Sequence, residues 1–155
     1  MADHDVTFRD AGDGDLRAII KLLALDPLGA TRERFEDPLP AVYGTAFQAI
    51  QRDPHNRIVV AEHAGGIVGC LQLTIIPGLT RLAMTRALIE GVRIDDSLRG
   101  LGLGRRLFEH AIAIARSEDA GMVQLTTDKS RPEAHRFYES LGFVASHEGM
   151  KLVLD

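Results

Sequence analysis

Arg99-Gly100-Leu101-Gly102-Leu103-Gly104-Arg105-Arg106 is the stretch on which the reading of this chain turns. Glycine at every second position leaves the backbone bare of side chains. A strand-like run, Val92-Arg93-Ile94-Asp95, ends four residues before Arg99, and an amphipathic helical run begins at Leu107. A bare loop between a strand and a helix N-terminus suits an anion. The N–H groups of the first helical turn lack intrahelical acceptors, and the helix dipole adds partial positive charge there. Arg99, Arg105 and Arg106 bring formal charge nearby. This chemistry alone admits a nucleotide, a sugar phosphate or coenzyme A. Spacing removes two common phosphate loops. Gly100-x-x-x-Gly104 is one residue short of a Walker loop, and no Lys-Ser/Thr follows. A dinucleotide fingerprint begun at Gly100 needs a third glycine where Arg105 stands.

The elements around the loop follow from periodicity. Upstream, residues 85–94 read as a strand whose alternation slips by one between Ile89 and Val92, which predicts a β-bulge at Gly91. Before it, 57–63 and 67–75 are Val- and Ile-rich strand runs joined through Ala64-Gly65-Gly66, a tight hairpin. Val6-Thr7-Phe8-Arg9 alternates as a first strand. Leu16, Ile19, Ile20, Leu22 and Leu23 recur at helical spacing, with Asp13 or Asp15 to cap the start and Asp26-Pro27-Leu28-Gly29 to stop it. A second helix is predicted at 41–51, after a charged connector that reads equally as a solvated link or as a wall of the second substrate's site. Residues 79–84 form a loop.

Downstream, Leu107, Phe108, Ala111, Ile112, Ile114 and Ala115 predict a helix, 122–127 a fifth strand, and Ser130-Arg131-Pro132-Glu133 a capping box opening a short helix through Ala134, Phe137, Tyr138 and Leu141. Phe143-Val144-Ala145 and 150–154 read as two last strands. The order is β-α-α-β-β-β-α-β-α-β-β. It implies an α/β fold: a mixed sheet of about six to seven strands flanked by about four helices. With no repeat, low-complexity tract or linker, residues 1–155 read as one domain.

Composition narrows the function. At 45% hydrophobic and 26% charged residues, a packed core is expected. No apolar run approaches the ~18–20 residues of a membrane span. The polar start Met1-Ala2-Asp3-His4-Asp5 shows no signal region, so a cytoplasmic location is expected. A net charge of −4 argues against nucleic acid as a partner. The lone Cys70 sits in an apolar alternating run and reads as a small buried hydrophobe. The six histidines have no tight metal-ligand spacing, and no metal is expected.

Arg99-x-x-Gly102-x-Gly104 resembles the Q/R-x-x-G-x-G/A acyl-CoA pyrophosphate loop of the GNAT superfamily of N-acetyltransferases. Phe137-Tyr138-Glu139-Ser140-Leu141-Gly142-Phe143 is similar to that family's F-Y-E-x-x-G-F segment, and lies 33 to 39 residues after Gly104. The element order fits as well. The resemblance implies acetyl-CoA as cosubstrate and direct transfer to a small-molecule amine in a ternary complex. It assigns the pyrophosphate to Arg99, Gly100, Leu101, Gly102, Leu103, Gly104 and Arg105, mostly through backbone N–H groups. It assigns the pantetheine arm to the backbone of Val92 and Ile94, where strands four and five splay apart. A backbone N–H near Val92 would serve the acetyl oxygen. Tyr138 becomes the general acid for the departing thiolate, and Glu90 the candidate base. Read from the residues alone, Tyr138 is also a core aromatic and Glu90 an exposed or salt-bridged strand residue.

The run from Lys129 to Tyr138, with Ser146-His147 and Lys151, resembles the aminoalkylphosphonate N-acetyltransferase subgroup. It departs from the family in carrying Arg131 where Asn is frequent. On that resemblance Arg131, His135, His147 or Lys151 would meet an anionic acceptor, or Lys129 and Arg131 the coenzyme's phosphates. The family also contains homodimers, which leaves that state open here. A non-catalytic acyl-CoA sensor and an enzyme acting on a macromolecular amine are the rival readings.

Overall fold

Alternating burial along the strands builds one mixed sheet, ordered β1-β2-β3-β4-β5. The computed structural model describes residues 5–155, so Met1 to His4 of the polar start lie outside the described residues. Strands β1 (Val6–Asp10), β2 (Asn56–His63), β3 (Gly66–Ile76) and β4 (Arg86–Ile94) are antiparallel neighbours. Strand β5 (Met122–Gln124) runs parallel to β4. The helical segments are α1 (Leu16–Leu25), α2 (Ala41–Arg52), α3 (Thr80–Ala83), α4 (Leu103–Ser117) and α5 (Pro132–Ser140).

Period two sorts each strand's side chains between two layers. Val59, Leu71, Leu73, Ile75, Ala87 and Ile89 enter the layer beneath α4. Val60 and Cys70 turn to the opposite face, against Ile19 and Leu22 of α1. Leu107, Ala111 and Ala115 recur every fourth residue of α4 and are all buried, with Phe108 beside them, as an amphipathic helix requires.

The β2–β3 hairpin turns tightly through Ala64 (φ 50°) and Gly65 (φ 79°), the positive pair that a two-residue turn demands. The bulge forms where the slip in alternation predicts it. Leu71 alone on β3 stands between Cys70, paired with Arg93, and Gln72, paired with Glu90, so it faces both Gly91 and Val92. Gly91 takes φ 59°, a conformation that costs glycine nothing. The extra residue reverses the parity of β4. Val92 and Ile94 join the α4 layer after Ala87 and Ile89, and Arg93 is turned toward Asp26 at the end of α1.

Four expectations are corrected. The sheet has five strands, not six or seven: 143–145 and 150–154 pair with nothing among the described residues. Alternation specifies a strand-like segment but not a neighbour to pair with. Helix α4 begins at Leu103 rather than Leu107, because Leu103 itself is a buried core residue, 1% exposed. The capping box at Ser130 does not form. Its hydroxyl donates to Asp128 at 2.7 Å, and the residue that enters α5 is Arg131, followed by Pro132. The 79–84 loop contains a left-handed turn, with Arg81, Leu82 and Ala83 at φ 54°, 58° and 60°. For side chains with a Cβ that hand costs about 1–2 kcal/mol per residue.

Candidate active site

The glycine loop rises from a 3-10 turn, Asp96–Leu98, capped by Asp95. The Asp95 carboxylate accepts the Ser97 N–H at 2.9 Å and its hydroxyl at 2.6 Å, which holds the carboxyl below its ordinary pKa. Gly100 and Gly102 both take left-handed φ, 77° and 79°, and Gly102 leads directly into α4. Arg106 N–H is the first to reach back along the helix, to Gly102 O at 3.2 Å. Among the described residues, no amide from 100 to 105 has a backbone acceptor. Burial of the Leu103 side chain anchors the first turn while its amide stays at the helix tip. The result is a row of backbone donors at a helix N-terminus, an arrangement whose chemistry suits an anion.

The arginines of the loop are otherwise engaged. Arg99 pairs with Asp96 at 2.8 Å. Arg105 donates to the Ser140 carbonyl at 3.1 Å and its hydroxyl at 3.2 Å, tying α4 to the end of α5. The Arg106 guanidinium lies 5.4 Å from the centre of the Phe8 ring.

Strand β5 pairs with β4 only along Arg86 to Leu88. From Ile89 to Ile94, the edge of β4 that faces β5 has no strand beside it, so the two strands part before reaching the loop. Val92 and Ile94 lie on this free edge. The Val92 carbonyl accepts from the guanidinium of Arg93 at 2.7 Å. An extended polar chain can add to such an edge as a strand would.

Tyr138 stands on α5, its ring packed among Phe108, Phe137 and Phe143 at centroid distances of 5.5–6.1 Å. Its hydroxyl has no protein hydrogen-bond partner among the described residues. Burial pushes the phenol above its ordinary pKa, against the pull of Arg131 and Arg93. It is therefore a neutral group with a proton to give. Glu90 is exposed at the bulge, opposite Gln72, and makes no ion pair among the described residues. Among the described residues no hydrogen bond or ion pair joins Glu90 to Tyr138.

Two residues next to this cleft were not legible in the sequence. Asp26 is the one buried charged side chain of the described residues, 6% exposed. Its Oδ2 accepts from the Gly29 N–H at 3.0 Å and from Arg131 Nη2 at 2.5 Å, and lies 3.5 Å from Arg93 Nη2. Burial opposes the charge, but the Gly29 amide and the two guanidinium groups outweigh it, and the carboxyl is held below its ordinary pKa. Arg131, expected at the coenzyme, is thus committed at one nitrogen to Asp26. Asp26 reads in sequence only as a helix stop. Arg93 meets it only because the bulge reverses parity. Leu22, Asp26, Arg93, Ile94, Asp95 and Arg99 line one shallow cleft between the end of α1 and the start of the loop.

The residues behind the subgroup resemblance do not gather. No hydrogen bond or ion pair joins any two of Arg131, His135, His147 and Lys151. Lys129 pairs with Glu148 at 3.3 Å, and His147 with the Ser146 hydroxyl at 2.7 Å. Cys70 is buried, and its thiol is pushed up to about 12 by that burial, which removes it as a nucleophile. Among the described residues no three His, Cys, Asp or Glu side chains assemble as a metal site, and no helix is long and apolar enough to cross a membrane.

Comparison with known proteins shows what the chain is similar to. Residues 19–143 match the family model described as Acetyltransferase (GNAT) family. The crystal structure of a transcriptional regulator from Bacillus halodurans C-125 is 49% identical, with a TM-score of 0.94 over 96% of this chain and 99% of that one. An acetyltransferase structure from Trypanosoma brucei is 32% identical, with a TM-score of 0.78 over 97% of this chain and 100% of the other. The glucosamine 6-phosphate N-acetyltransferase of Trypanosoma brucei brucei is 38% identical over 99 residues, which cover 63% of this chain and 65% of that protein. The match thus spans under two thirds of that relative's length.

Proposed function

The chain belongs to the Acetyltransferase (GNAT) family, and from that premise we propose that it transfers an acetyl group from acetyl-CoA to the primary amine of a small molecule. Transfer is direct, within a ternary complex, in one domain spanning residues 1–155. The observation that carries this reading is the continuity of the free β4 edge with the unpaired amides of residues 100–105. One chain segment thereby offers an extended arm a strand edge and, at its end, a pyrophosphate-sized set of donors.

In this reading the amides of Gly100 to Arg105, with Arg99 at the rim, hold the pyrophosphate. Val92 and Ile94 pair with the pantetheine, and Arg131 reaches the coenzyme with the nitrogens not committed to Asp26. The amine nitrogen attacks the thioester carbonyl carbon. The C–S bond breaks, and the departing thiolate takes the Tyr138 proton. The amine's surplus proton leaves through Glu90, directly or by water. Direct transfer fits a chain whose only thiol is buried and protonated.

The acceptor class rests on two leads. The 129–151 region resembles the aminoalkylphosphonate subgroup, and one relative acts on glucosamine 6-phosphate. Both substrates are amines that carry an anionic phosphorus group. The deciding experiment follows CoA thiol release across aminophosphonates, amino-sugar phosphates, amino acids, polyamines and aminoglycosides. Turnover with one class, and an N-acetyl product by mass, supports the proposal. The 49%-identical structure described as a transcriptional regulator favours one alternative, an acyl-CoA-binding sensor. Tight acetyl-CoA binding without turnover on any amine would select that alternative.

A further inference from the structure

Helix α1 covers only part of its face of the sheet. Ile19 and Leu22 pack with Val60 and Cys70, with Leu23 and Ile58 at the margin, and Leu23 Cδ2 lies 3.9 Å from where a Cβ on Gly91 would stand. The next row on that face is polar. It holds Asn56 of β2, Gln72 and Thr74 of β3, and Glu90 of β4, which is paired in register opposite Gln72. Asn56, Gln72 and Thr74 are half-buried and Glu90 is exposed, whereas Leu71, Leu73 and Ile89 on the other face are buried. Leu88, paired with Thr74, joins none of the apolar core clusters among the described residues.

The hydrogen bonds of this row have a fixed sense. It starts at Asp53, whose ionised carboxylate can only accept. Asn56 Nδ2 donates to it at 3.0 Å and the His55 N–H at 2.8 Å, and these bonds hold the carboxyl below its ordinary pKa. Asn56 must therefore turn its Oδ1 to β3, where it accepts from Thr74 Oγ1 at 2.8 Å and from Gln72 Nε2 at 3.0 Å. Gln72 is fixed in turn, its amide nitrogen toward Asn56 and its Oε1 turned away. Among the described residues that Oε1 accepts no hydrogen bond, and neither does the Glu90 carboxylate. Residues directly opposed on neighbouring strands carry their Cβ atoms about 4.5–5.5 Å apart. Two unspent acceptors thus stand side by side on an uncovered strip of sheet.

We propose that Gln72 sets the specificity for the acceptor: the amine that meets Glu90 carries a hydroxyl on the neighbouring carbon, and that hydroxyl donates to Gln72 Oε1. This deepens the acetyltransferase reading and rests on it. Two acceptors side by side call for two donors on one small frame, and a vicinal amino alcohol supplies them, amino sugars included. A diamine also offers two donors, but its second ammonium would lie against an amide that cannot balance the charge. A plain alkylamine leaves Gln72 Oε1 without a partner.

The test compares 3-amino-2-hydroxypropylphosphonate with 3-aminopropylphosphonate, which differ by that hydroxyl alone, on the full chain and on Gln72→Leu. The full chain is expected to favour the hydroxylated amine on the order of tenfold in kcat/KM, carried by KM. In Gln72→Leu that preference should vanish through a higher KM for the hydroxylated amine only, with the Kd for acetyl-CoA unchanged. Asn56→Ala leaves Gln72 in place but frees its amide to turn, and should lower the preference severalfold. It decides the matter should Gln72→Leu lose its circular dichroism spectrum. Equal kcat/KM for the two amines in the full chain overturns the inference. So does a preference that survives in the folded variants, or a loss that strikes both amines alike. Acetylation of hydroxyl-free amines alone removes the inference and leaves the acetyltransferase reading standing. If no amine is acetylated, that reading fails, and calorimetry on the acetyl-CoA-loaded protein compares the same pair. Equal or undetectable binding there overturns the inference as well.

Discussion

At Tyr138 the proposed chemistry depends on one neutral phenol held in an aromatic cluster with its hydroxyl unspent. Tyr138→Phe keeps the ring contacts and removes the proton. It is expected to lower kcat by on the order of 10²-fold or more while the Kd for acetyl-CoA stays unchanged. Steady-state kinetics beside calorimetry checks this, and equal losses in both would make Tyr138 a packing residue. Glu90 stands exposed at the bulge with no ion pair among the described residues, so Glu90→Gln should lower kcat while the Kd for acetyl-CoA stays unchanged. An unaltered kcat would hand the amine's proton to solvent. Both residues could be named as candidates from the sequence because each occupies a position of a recognisable motif or strand. Asp26 was not, because nothing local marks a carboxylate whose partners lie 67 and 105 positions away.

Two elements carry the proposed site, and each depends on a glycine with positive φ. Gly102 joins the loop to α4 at φ 79° with open space around its Cβ position. Gly102→Glu introduces a side chain and a negative charge beside the cradle of amides. Acetyl-CoA binding should fall below detection by calorimetry while the circular dichroism spectrum is retained. Unchanged affinity would remove the loop from the coenzyme site. Gly91 is the hinge of parity in β4. Gly91→Val must adopt φ 59° or iron out the bulge, and is expected to cost about 1–2 kcal/mol in urea denaturation. The bulge was readable as a slip in alternation. Its consequence, the delivery of Arg93 to Asp26, was not, since it follows from which helix covers that face of the sheet.

Across the whole molecule, Asp26 fastens three elements at one oxygen: the end of α1, strand β4 through Arg93, and the entry to α5 through Arg131. Asp26→Ala leaves two guanidinium groups without their shared carboxylate, at a cost of about 3–5 kcal/mol. Its folded-state pKa is depressed, so its stabilisation is complete above the unfolded carboxylate value and is lost as pH falls through the folded one. Urea midpoints of wild type and variant should therefore differ fully at pH 7 and converge below about pH 4. A constant gap would assign the effect to packing rather than charge. The sequence by itself determined the order of elements from β1 to β3 and from β4 to α5, the bulge and the loop between strand and helix, because periodicity and glycine spacing act within a few residues. Only tertiary structure decided that α4 starts at a buried Leu103, that Asp26 binds two arginines, and that the last strand-like segment joins no strand among the described residues. Ion pairs and strand pairing join residues far apart in sequence, and a local pattern states what a segment can cover without stating what it meets.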